Sequence, residues 1–463
     1  MIKQNLMLAN KNRFVARLLG IGLLVGLATS CVTVGPDYKR PEIDLPKAFK
    51  EAPEQKAFST SESLTSDNLQ ISDEPWWAIY SDEVLDSLLL QIEIKNYSVQ
   101  AALAQLEQAR ASADIAKAGK SPVLGAGGIN DFGLLLSWEI DLWGRIKRNA
   151  ESSMAAAQAS EAELAATKLS LQAQLAQNYF LLRIQDADIQ LSEATSKAYQ
   201  RSLEISENQY AAGVVGRENL TQAQAQLSVV QVEIFKARIT RAQLEHSIAV
   251  LIGVAPADFE LSVTSLDLEV PQIPVSLPSQ LLSRRPDIAA AERNMAAANA
   301  QIGVAKARAY PSLSLSSGYR IIKKFVGGSK VGFPIYTSGA VSANSKKATF
   351  AYNATVANYR QTVLTGFLEV EDNLIELDLL EQAAKAQANA VIANGKSVEI
   401  LNNQYRAGIV NYQSIVIVQA SSLENQRAAL DILSRRLTSS VALIKALGGG
   451  WDARLLENSE NED

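Results

Sequence analysis

The chain of 463 residues is 47% hydrophobic and 20% charged, yet only 6% aromatic, and it is rich in alanine. This composition is typical of long, closely packed helices. The formal net charge of −5, with Lys and Arg dispersed along the chain, excludes the large basic surface that nucleic-acid binding requires.

Residues 1–30 have the pattern of a signal peptide. Basic residues precede an apolar run of about ten residues, and small residues lead up to Cys31. The run is well short of the roughly 20 residues that span a bilayer. Cys31 is the only cysteine, so we expect it to carry a covalent lipid. Ala28 stands where a lipobox usually has leucine, and a plain secretory signal with an incidental thiol is the alternative.

An internal repeat covers most of the chain. Residues 202–213 match 397–408 without a gap, at an offset of 195 residues. Further upstream, residues 117–122 match 306–311 at a shorter offset of 189. Each half is therefore predicted to contain a helix, a β-hairpin, a long helix, a turn and a returning helix.

The repeat predicts the domain organisation. The predicted segments are a signal peptide (1–30), a lipidated N-terminal tether (31–75), a first repeat (76–253, hairpin 122–141), a linker (254–280), a second repeat (281–450, hairpin 311–337) and an acidic disordered tail (451–463). Within the linker, residues 259–263 alternate apolar with polar side chains, so we expect a short strand there.

The stretch 142–210 is predicted to form one long helix. It has no proline and no glycine after Gly144, and Leu175, Leu182 and Ile189 recur every seven residues, as in a coiled coil. About 69 residues at 1.5 Å each would extend on the order of 100 Å. Such a helix must pack along its neighbours.

Glycines are predicted to end the two long helices. Gly213 and Gly408 occupy equivalent repeat positions, where a positive φ costs glycine little. After these turns, residues 218–252 and 411–447 are predicted to return as antiparallel helices.

The segments between the helices have the period of strands. In residues 311–316, serine alternates with apolar residues, which predicts a strand. Gly327-Gly328 is predicted as the turn and 331–336 as the return strand. The partner hairpin in the first half is predicted to turn at Asn130-Asp131. Two hairpins cannot close a transmembrane barrel, and an open sheet in lipid leaves unpaired backbone groups. Closure would require several chains.

The sequence lacks the residues that an enzyme would need. His246 is the only histidine and lies among apolar residues of a predicted helix. The glycines 448–450 follow a helix and do not open one, so they predict a helix stop and not a phosphate site. Arg284-Arg285 could clamp a ligand, although a helix start at Pro286 is the simpler interpretation. We expect no enzyme, no metal and no cofactor other than the lipid on Cys31.

Several motifs resemble those of the TolC-like outer-membrane efflux factors, in particular the lipidated OprM and NodT branch. The residues that carry the resemblance are 34–41 (VGPDYKRP), 76–77 (WW), 138–145 (WEIDLWGR), 281–288 (LLSRRPDI), 357–364 (ANYRQTVL), 369–372 (EVED) and 405–408 (YRAG). The similarity extends over nearly the whole mature chain.

The resemblance implies an architecture and partners. It implies a mainly α-helical homotrimer in which four strands per chain form one 12-stranded barrel that continues into a 12-helix periplasmic tunnel. The helical tips of such proteins are closed at rest and open on contact with a periplasmic adaptor and an inner-membrane pump, here expected to be of the RND type. The chain would then be a passive exit duct, lipid-anchored in the outer membrane, with a large periplasmic part.

The resemblance also indicates where the gate would lie. Tyr405 matches the family's tip-gating tyrosine, and Tyr210 is its repeat partner. The family's acidic constriction falls on Ser414 and Ile417, which carry no charge. Glu218 is the nearest charged residue to the first tip, although an acid in the first turn of a helix has an ordinary stabilising role.

Two other functions stay open at this stage. The predicted hairpins are shorter than is usual in this branch, because only 20 residues separate Pro122 from Trp143 and 26 separate Pro311 from Ser338. A transmembrane strand needs about 9–11 residues, so a lipid-tethered periplasmic coiled-coil scaffold without a pore is the main alternative. A secreted, adhesin-like helical stalk is the weaker one.

Overall fold

The computed structural model describes residues 33–52, 75–127, 133–264, 268–274, 278–320, 324–407 and 409–458. The helices are α1 (Glu83–Lys95), α2 (Tyr97–Ala118), α3 (Arg145–Ala211), α4 (Arg217–Leu251), α5 (Leu281–Arg284), α6 (Pro286–Ala307), α7 (Ala340–Arg406), α8 (Tyr412–Ala446) and α9 (Arg454–Asn458). The strands are β1 (Val123–Gly127), β2 (Gly133–Ile140), β3 (Ser312–Arg320) and β4 (Lys324–Gly332). The prediction of a mainly α-helical fold with a small four-stranded part is confirmed. The prediction of a disordered tail at 451–463 is wrong for 451–458, because α9 lies there and the N–H of Ala453 donates to the Ser283 carbonyl at 2.7 Å.

The same sequence of elements occurs twice. The series α2, β1, β2, α3, α4 is followed later by α6, β3, β4, α7, α8. Matching helices have the same length: 22 residues in α2 and α6, 67 in α3 and α7, and 35 in α4 and α8. Among the helices described, none has a stretch long and apolar enough to cross a membrane.

The chain divides into two compact units. The sheet unit contains the described residues of 33–43, 104–161 and 290–361, and the helical unit contains those of 44–103, 162–289 and 362–458. Each unit draws on both repeats, so neither repeat forms a separate folding domain.

The core of the helical unit is built where the long helices meet the short ones. Trp77, Tyr179 and Phe180 are buried in its largest apolar cluster, together with apolar residues of α1, α4 and α8. The Tyr179 hydroxyl donates a hydrogen bond of 2.6 Å to Asp82, which also caps the start of α1. One buried aromatic side chain therefore fixes α3 against the beginning of α1.

The repeat extends to individual hydrogen bonds in the helical unit. The amide of Asn96, which precedes α2, donates to the carbonyl of Leu251 at the end of α4, at 2.7 Å. The guanidinium of Arg285, which precedes α6, donates to the carbonyl of Ala446 at the end of α8, at 3.0 Å. Helix-terminal carbonyls lack partners within their own helix, so both bonds satisfy groups that would otherwise be unpaired.

Arg285 is enclosed by acids. Its guanidinium lies 2.6 Å from Glu369 and 2.7 Å from Asp287, which is in the first turn of α6. These contacts occupy the guanidinium with protein groups and support the interpretation of 284–287 as a helix start, not a ligand clamp.

The sheet unit contains one antiparallel meander in the order β1-β2-β3-β4. Residues directly opposite each other in an antiparallel pair share a face. The apolar face carries Leu124, Ala126, Leu134, Leu136, Trp138, Ile140, Leu313, Leu315, Ser317, Tyr319, Phe325, Gly327, Ser329 and Val331. The polar face carries Val123, Gly125, Gly127, Gly133, Leu135, Ser137, Glu139, Ser312, Ser314, Ser316, Gly318, Gly328, Lys330 and Gly332.

The predicted turn at Gly327-Gly328 is wrong. Strands β3 and β4 pair from Ser312 opposite Gly332 to Arg320 opposite Lys324, so both glycines lie inside β4. This register places Tyr319 opposite Phe325 on the apolar face. A turn at the glycines could not form this aromatic pair. The return strand predicted at 331–336 is wrong as well, because β4 ends at Gly332. The predicted turn at Asn130-Asp131 lies outside the described residues.

The short strand predicted within 254–280 is also absent from the described part of that segment. A 3₁₀ turn, Pro256–Asp258, opens it. The backbone of Leu261 is bound by side chains of α4, because Glu245 accepts from its N–H at 2.7 Å and Arg241 donates to its carbonyl at 2.6 Å. Side chains thus satisfy the groups that a neighbouring strand would have paired.

The residues after position 32 form a strap across three helices of the sheet unit. Asp37 forms an ion pair with Arg148 of α3 at 2.5 Å, Tyr38 donates to Glu292 of α6, and Arg40 donates to Tyr359 of α7 at 3.1 Å. The Arg148 guanidinium lowers the pKa of Asp37, so this carboxylate stays charged well into acidic solution. The predicted signal peptide (1–30) and the predicted lipidation site Cys31 lie outside the described residues.

The strap reaches the helices because two glycines meet. A Cβ on Gly35 would stand 2.6 Å from the Cα of Gly303, and a Cβ on Gly303 would stand 2.8 Å from the Val34 carbonyl. No real Cβ tolerates such distances, so the close approach depends on glycine at both positions.

We predict that Gly303→Ala lowers the thermal midpoint of unfolding of the purified protein in detergent. Alanine normally stabilises a helix interior by about 1 kcal/mol relative to glycine, but here the methyl group must displace the strap. Circular dichroism measures the midpoint.

Gly395→Ala in α7 is the matched control, because a Cβ there meets nothing within 4 Å. Its midpoint should stay the same or rise. If both substitutions raised the midpoint equally, the strap contact would contribute nothing to stability.

Candidate functional site

The two tip turns of the helical unit, 212–216 and 407–411, contain or adjoin the predicted gate residues. At the first turn, Gly213 has a φ of +71°, and the N–H of Val214 donates back to the carbonyl of Gln209 at 2.9 Å. This left-handed conformation ends α3 and is the one that glycine adopts without strain. Gly408, at the second turn, lies outside the described residues.

Tyr405 links the two long helices next to these turns. Its hydroxyl, at the end of α7, donates a hydrogen bond of 2.7 Å to the side-chain oxygen of Gln209 at the end of α3. Its ring lies 6.0 Å from that of Tyr412, the first residue of α8. The predicted gate tyrosine therefore connects both repeats.

Tyr412 anchors this arrangement. It is only 3% exposed, in a cluster with Tyr199 and Leu203 of α3 and Leu227 of α4. Burial raises the pKa of Tyr412 to about 12, and the neighbouring Tyr405 and Tyr199 add to the shift. Burial also raises the pKa of Tyr405. Both phenols are thus protonated at physiological pH, and Tyr405 acts as a hydrogen-bond donor.

The remaining predicted gate residues occupy separate positions. Tyr210, the repeat partner of Tyr405, is 44% exposed and belongs to none of the described apolar clusters. Ser414 donates to Asn411, the residue that caps α8, and its N–H is bound by the same oxygen. Ile417 is exposed. Glu218 lies in the first turn of α4, where a negative charge stabilises the helix dipole.

The sequence did not indicate three residues that link the helices of this unit, two of them at the tips. Gln209 and Tyr412 are neighbours of predicted residues, and only the fold brings them to Tyr405. A third, Arg427 of α8, binds Asp188 at 2.9 Å and Ser192 at 2.9 Å on α3. The position equivalent to Arg427 in the first repeat is Val232, so the internal repeat gave no signal for this link.

The sheet unit has a second surface of functional interest, its apolar face. Leu134, Tyr319, Phe325 and Val331 of this face are all exposed, although large apolar side chains are usually buried. A contiguous exposed apolar surface of this kind marks contact with lipid or with another protein.

Aromatic residues border this sheet where its strands join the helices. The Trp138 indole donates to the carbonyl of Lys120 at 3.0 Å, and the Trp143 indole donates to that of Pro311 at 2.7 Å. Trp143 also stacks on Tyr310, with the ring centroids 4.7 Å apart. Tryptophan and tyrosine with one polar partner and one apolar side are typical of the boundary between membrane and water.

Comparisons with known proteins identify the family. The family described as "Outer membrane efflux protein" matches residues 88–254 and 277–449. The chain belongs to the outer membrane efflux protein family. A probable outer membrane lipoprotein of Salmonella typhimurium, SilC, is 28% identical over 95% of this chain and 99% of its own. The toluene efflux pump outer membrane protein TtgC of Pseudomonas putida is 27% identical over 92% and 96%.

Solved structures show the same fold. The outer-membrane channel OprN superposes with a TM-score of 0.80 at 27% identity, covering 90% of this chain and 99% of its own. The resemblance to the TolC-like family, the prediction of an outer-membrane efflux duct and the predicted location are therefore confirmed. The comparisons do not support the scaffold alternative.

The family is one of efflux ducts and not of enzymes. The described residues contain no cluster of three or more His, Cys, Asp or Glu side chains that could hold a metal ion. The candidate functional surfaces are therefore the tip turns of the helical unit and the apolar face of the sheet.

We predict that Tyr412 titrates near pH 12. Because its pKa in the folded protein exceeds the value of about 10 in an unfolded chain, its contribution to stability is complete below pH ~10 and decreases as the pH rises toward 12. The difference in tyrosinate absorbance between the wild type and Tyr412→Phe isolates this phenol. A midpoint of about 10 would show that the ring is solvated, and the cluster would then not be closed.

Proposed function

We propose that the chain acts as a homotrimeric, lipid-anchored duct through the outer membrane, which receives substrates from a periplasmic adaptor and an inner-membrane pump of the RND type. The observation that carries the proposal is the four-stranded sheet, which has one apolar face and ends on two strands, β1 and β4, with no further strand in the part of the chain described. In lipid, each unpaired edge would leave backbone N–H and C=O groups without partners.

Additional copies of the chain would remove both edges. In the order β1-β2-β3-β4 the outer strands run in opposite directions, so β4 of one copy can pair antiparallel with β1 of the next. Three copies give a closed barrel of 12 strands. The apolar face then contacts lipid, and the polar face encloses the lumen.

The strands of the second hairpin are long enough to cross. Strands β3 and β4 have nine residues each. At ~3.3 Å per residue each extends about 30 Å, which at a tilt of ~40° covers roughly 23 Å, close to the apolar band of about 25 Å in outer-membrane barrels. The shortness of the second hairpin thus limits its loop and not its span.

We further propose that Cys31 carries a covalent lipid. The support is the sequence alone: a signal-like segment, a single cysteine and Val32 instead of an Asp at the position that governs retention in the inner membrane. The strap that begins two residues later, bound to three helices, would join this anchor to the sheet unit.

The tips would hold the duct closed and would also receive the adaptor. The Tyr405–Gln209 hydrogen bond ties the two long helices together, and breaking it would favour separation of the tips. Val214 and Ile409 occupy the same repeat position, directly after the turn glycines, and both are 71% exposed. An exposed apolar residue in each of the two tip turns offers an apolar surface to a partner.

Planar-bilayer conductance of the purified mature protein, together with its mass in detergent, tests the duct. We expect a mass of three lipidated chains and discrete channels. Tyr405→Phe should raise the open-to-closed ratio about fivefold for each protomer, because each loses a net hydrogen bond of about 1 kcal/mol.

Gln209→Leu should have the same effect as Tyr405→Phe, and the double variant should add nothing, since all three remove one bond. Tyr210→Phe is the control, with a smaller change expected. Joint substitution of Tyr210 and Tyr405 by alanine should open the tips further. A trimer that conducts in none of these variants would favour the non-conducting scaffold.

We predict that Val214→Asp combined with Ile409→Asp abolishes efflux in cells that also contain the matching adaptor and pump. Charges at the tips would have to be desolvated on contact with an apolar partner surface. Trimer mass and channel conductance should be unchanged. Ile94→Asp in α1, at an equally exposed position away from the turns, should leave efflux intact. Normal efflux in the tip variant would place the adaptor elsewhere.

A further inference from the structure

The polar face of the sheet carries two charged residues whose side chains are described, Glu139 and Lys330. Both lie in one cross-strand row, because Glu139 is opposite Ser314 and Ser314 is opposite Lys330. In the proposed barrel this face lines the lumen, so the net charge of the row contributes to the potential that ions meet there. Arg320 and Lys324, which are paired opposite each other at the far end of β3 and β4, lie in another row of this face.

Glu139 contributes little to that net charge. Both of its carboxylate oxygens lie 2.9 Å from the terminal nitrogen of Arg145, and the Arg145 Nε is 3.3 Å from one of them. The acid and the base form a close ion pair whose charges cancel at a distance. Lys330 is two strand spacings from Glu139, about 10 Å, and forms no ion pair in the described structure.

Barrel closure would not neutralise Lys330 either. Strand β4 is the edge that would pair with β1 of the next copy, and β1 offers only Val123, Gly125 and Gly127 on its polar face. None of these residues carries a charge. Across its own strand pair, Lys330 faces Ser314, which is also uncharged.

We propose that Lys330 of three copies forms a ring of ammonium groups in the barrel lumen, which attracts anions and makes the duct select anionic solutes over cationic ones. This proposal rests on the trimeric barrel proposed above. It assigns the charge selection to the barrel, whereas the tip positions Ser414 and Ile417 carry no charge.

The size of the expected effect follows from the geometry of the barrel. Twelve strands spaced ~4.8 Å apart and tilted by ~40° enclose a backbone radius of about 12 Å. Three unit charges about 10 Å from the axis, screened over a Debye length of about 10 Å in 0.1 M salt, give a chloride-to-potassium permeability ratio of about fivefold. In 1 M salt, where the Debye length is about 3 Å, the ratio should approach one.

The test is the reversal potential of single channels in a potassium chloride gradient, at about 0.1 M and 1 M salt. Wild type should prefer chloride at low salt and lose the preference at high salt. Lys330→Gln should reduce the preference for chloride, and Lys330→Glu should reduce it further, because each change lowers the charge of the lumen by one more unit per chain. Glu139→Gln should increase the chloride preference, because Arg145 then lacks its counter-charge.

Lys50→Gln is the matched control, since it removes the same charge from a segment outside the sheet. It should leave the reversal potential unchanged. Channels that open normally but prefer potassium, or whose selectivity is the same in Lys330→Gln and wild type, would overturn the ring while leaving the duct in place. Absence of channels from all variants would overturn the duct and the ring together.

Discussion

The pairing of backbone groups at the two edges of one small sheet is the constraint on which the structure depends. A meander of four strands satisfies its inner hydrogen bonds but leaves β1 and β4 each with an unpaired side. Its apolar face is exposed as well, so a single chain can neither bury that face nor complete its hydrogen bonds. In the proposed barrel, membrane insertion and association of copies are therefore one requirement.

The helical unit combines contacts that occur in both repeats with contacts at the tips that occur only once. Asn96 and Arg285 cap equivalent helix ends, so the contacts that set the spacing of each helix pair occur in both repeats. Near the tips the repeats differ: Tyr405 reaches across to Gln209, whereas Tyr210 remains exposed. Duplication thus fixes the framework, and divergence at the tips supplies the cross-repeat contacts that a gate needs.

The sequence predicted most of the helices because their signals are local. A proline-free run and a repeated glycine are sufficient to place α3 and its end at Gly213. The turn at Gly327-Gly328 could not be predicted correctly, since the register of β3 and β4 depends on cross-strand pairs such as Tyr319 with Phe325.

The same limit applies to the candidate site. Tyr405 was identified from a motif, but its partner Gln209 lies on another helix, and the repeat does not show that these two side chains meet.

The strap has a mechanical consequence. If the lipid on Cys31 is pulled by the membrane, the force enters the protein at residue 33 and divides among the ion pair to Arg148 and the hydrogen bonds to Glu292 and Tyr359. These three partners belong to α3, α6 and α7, so no single helix bears the load. The close contact between Gly35 and Gly303 keeps the strap near the helix surface. A force on the lipid would then act close to the helix axes and would bend each helix less.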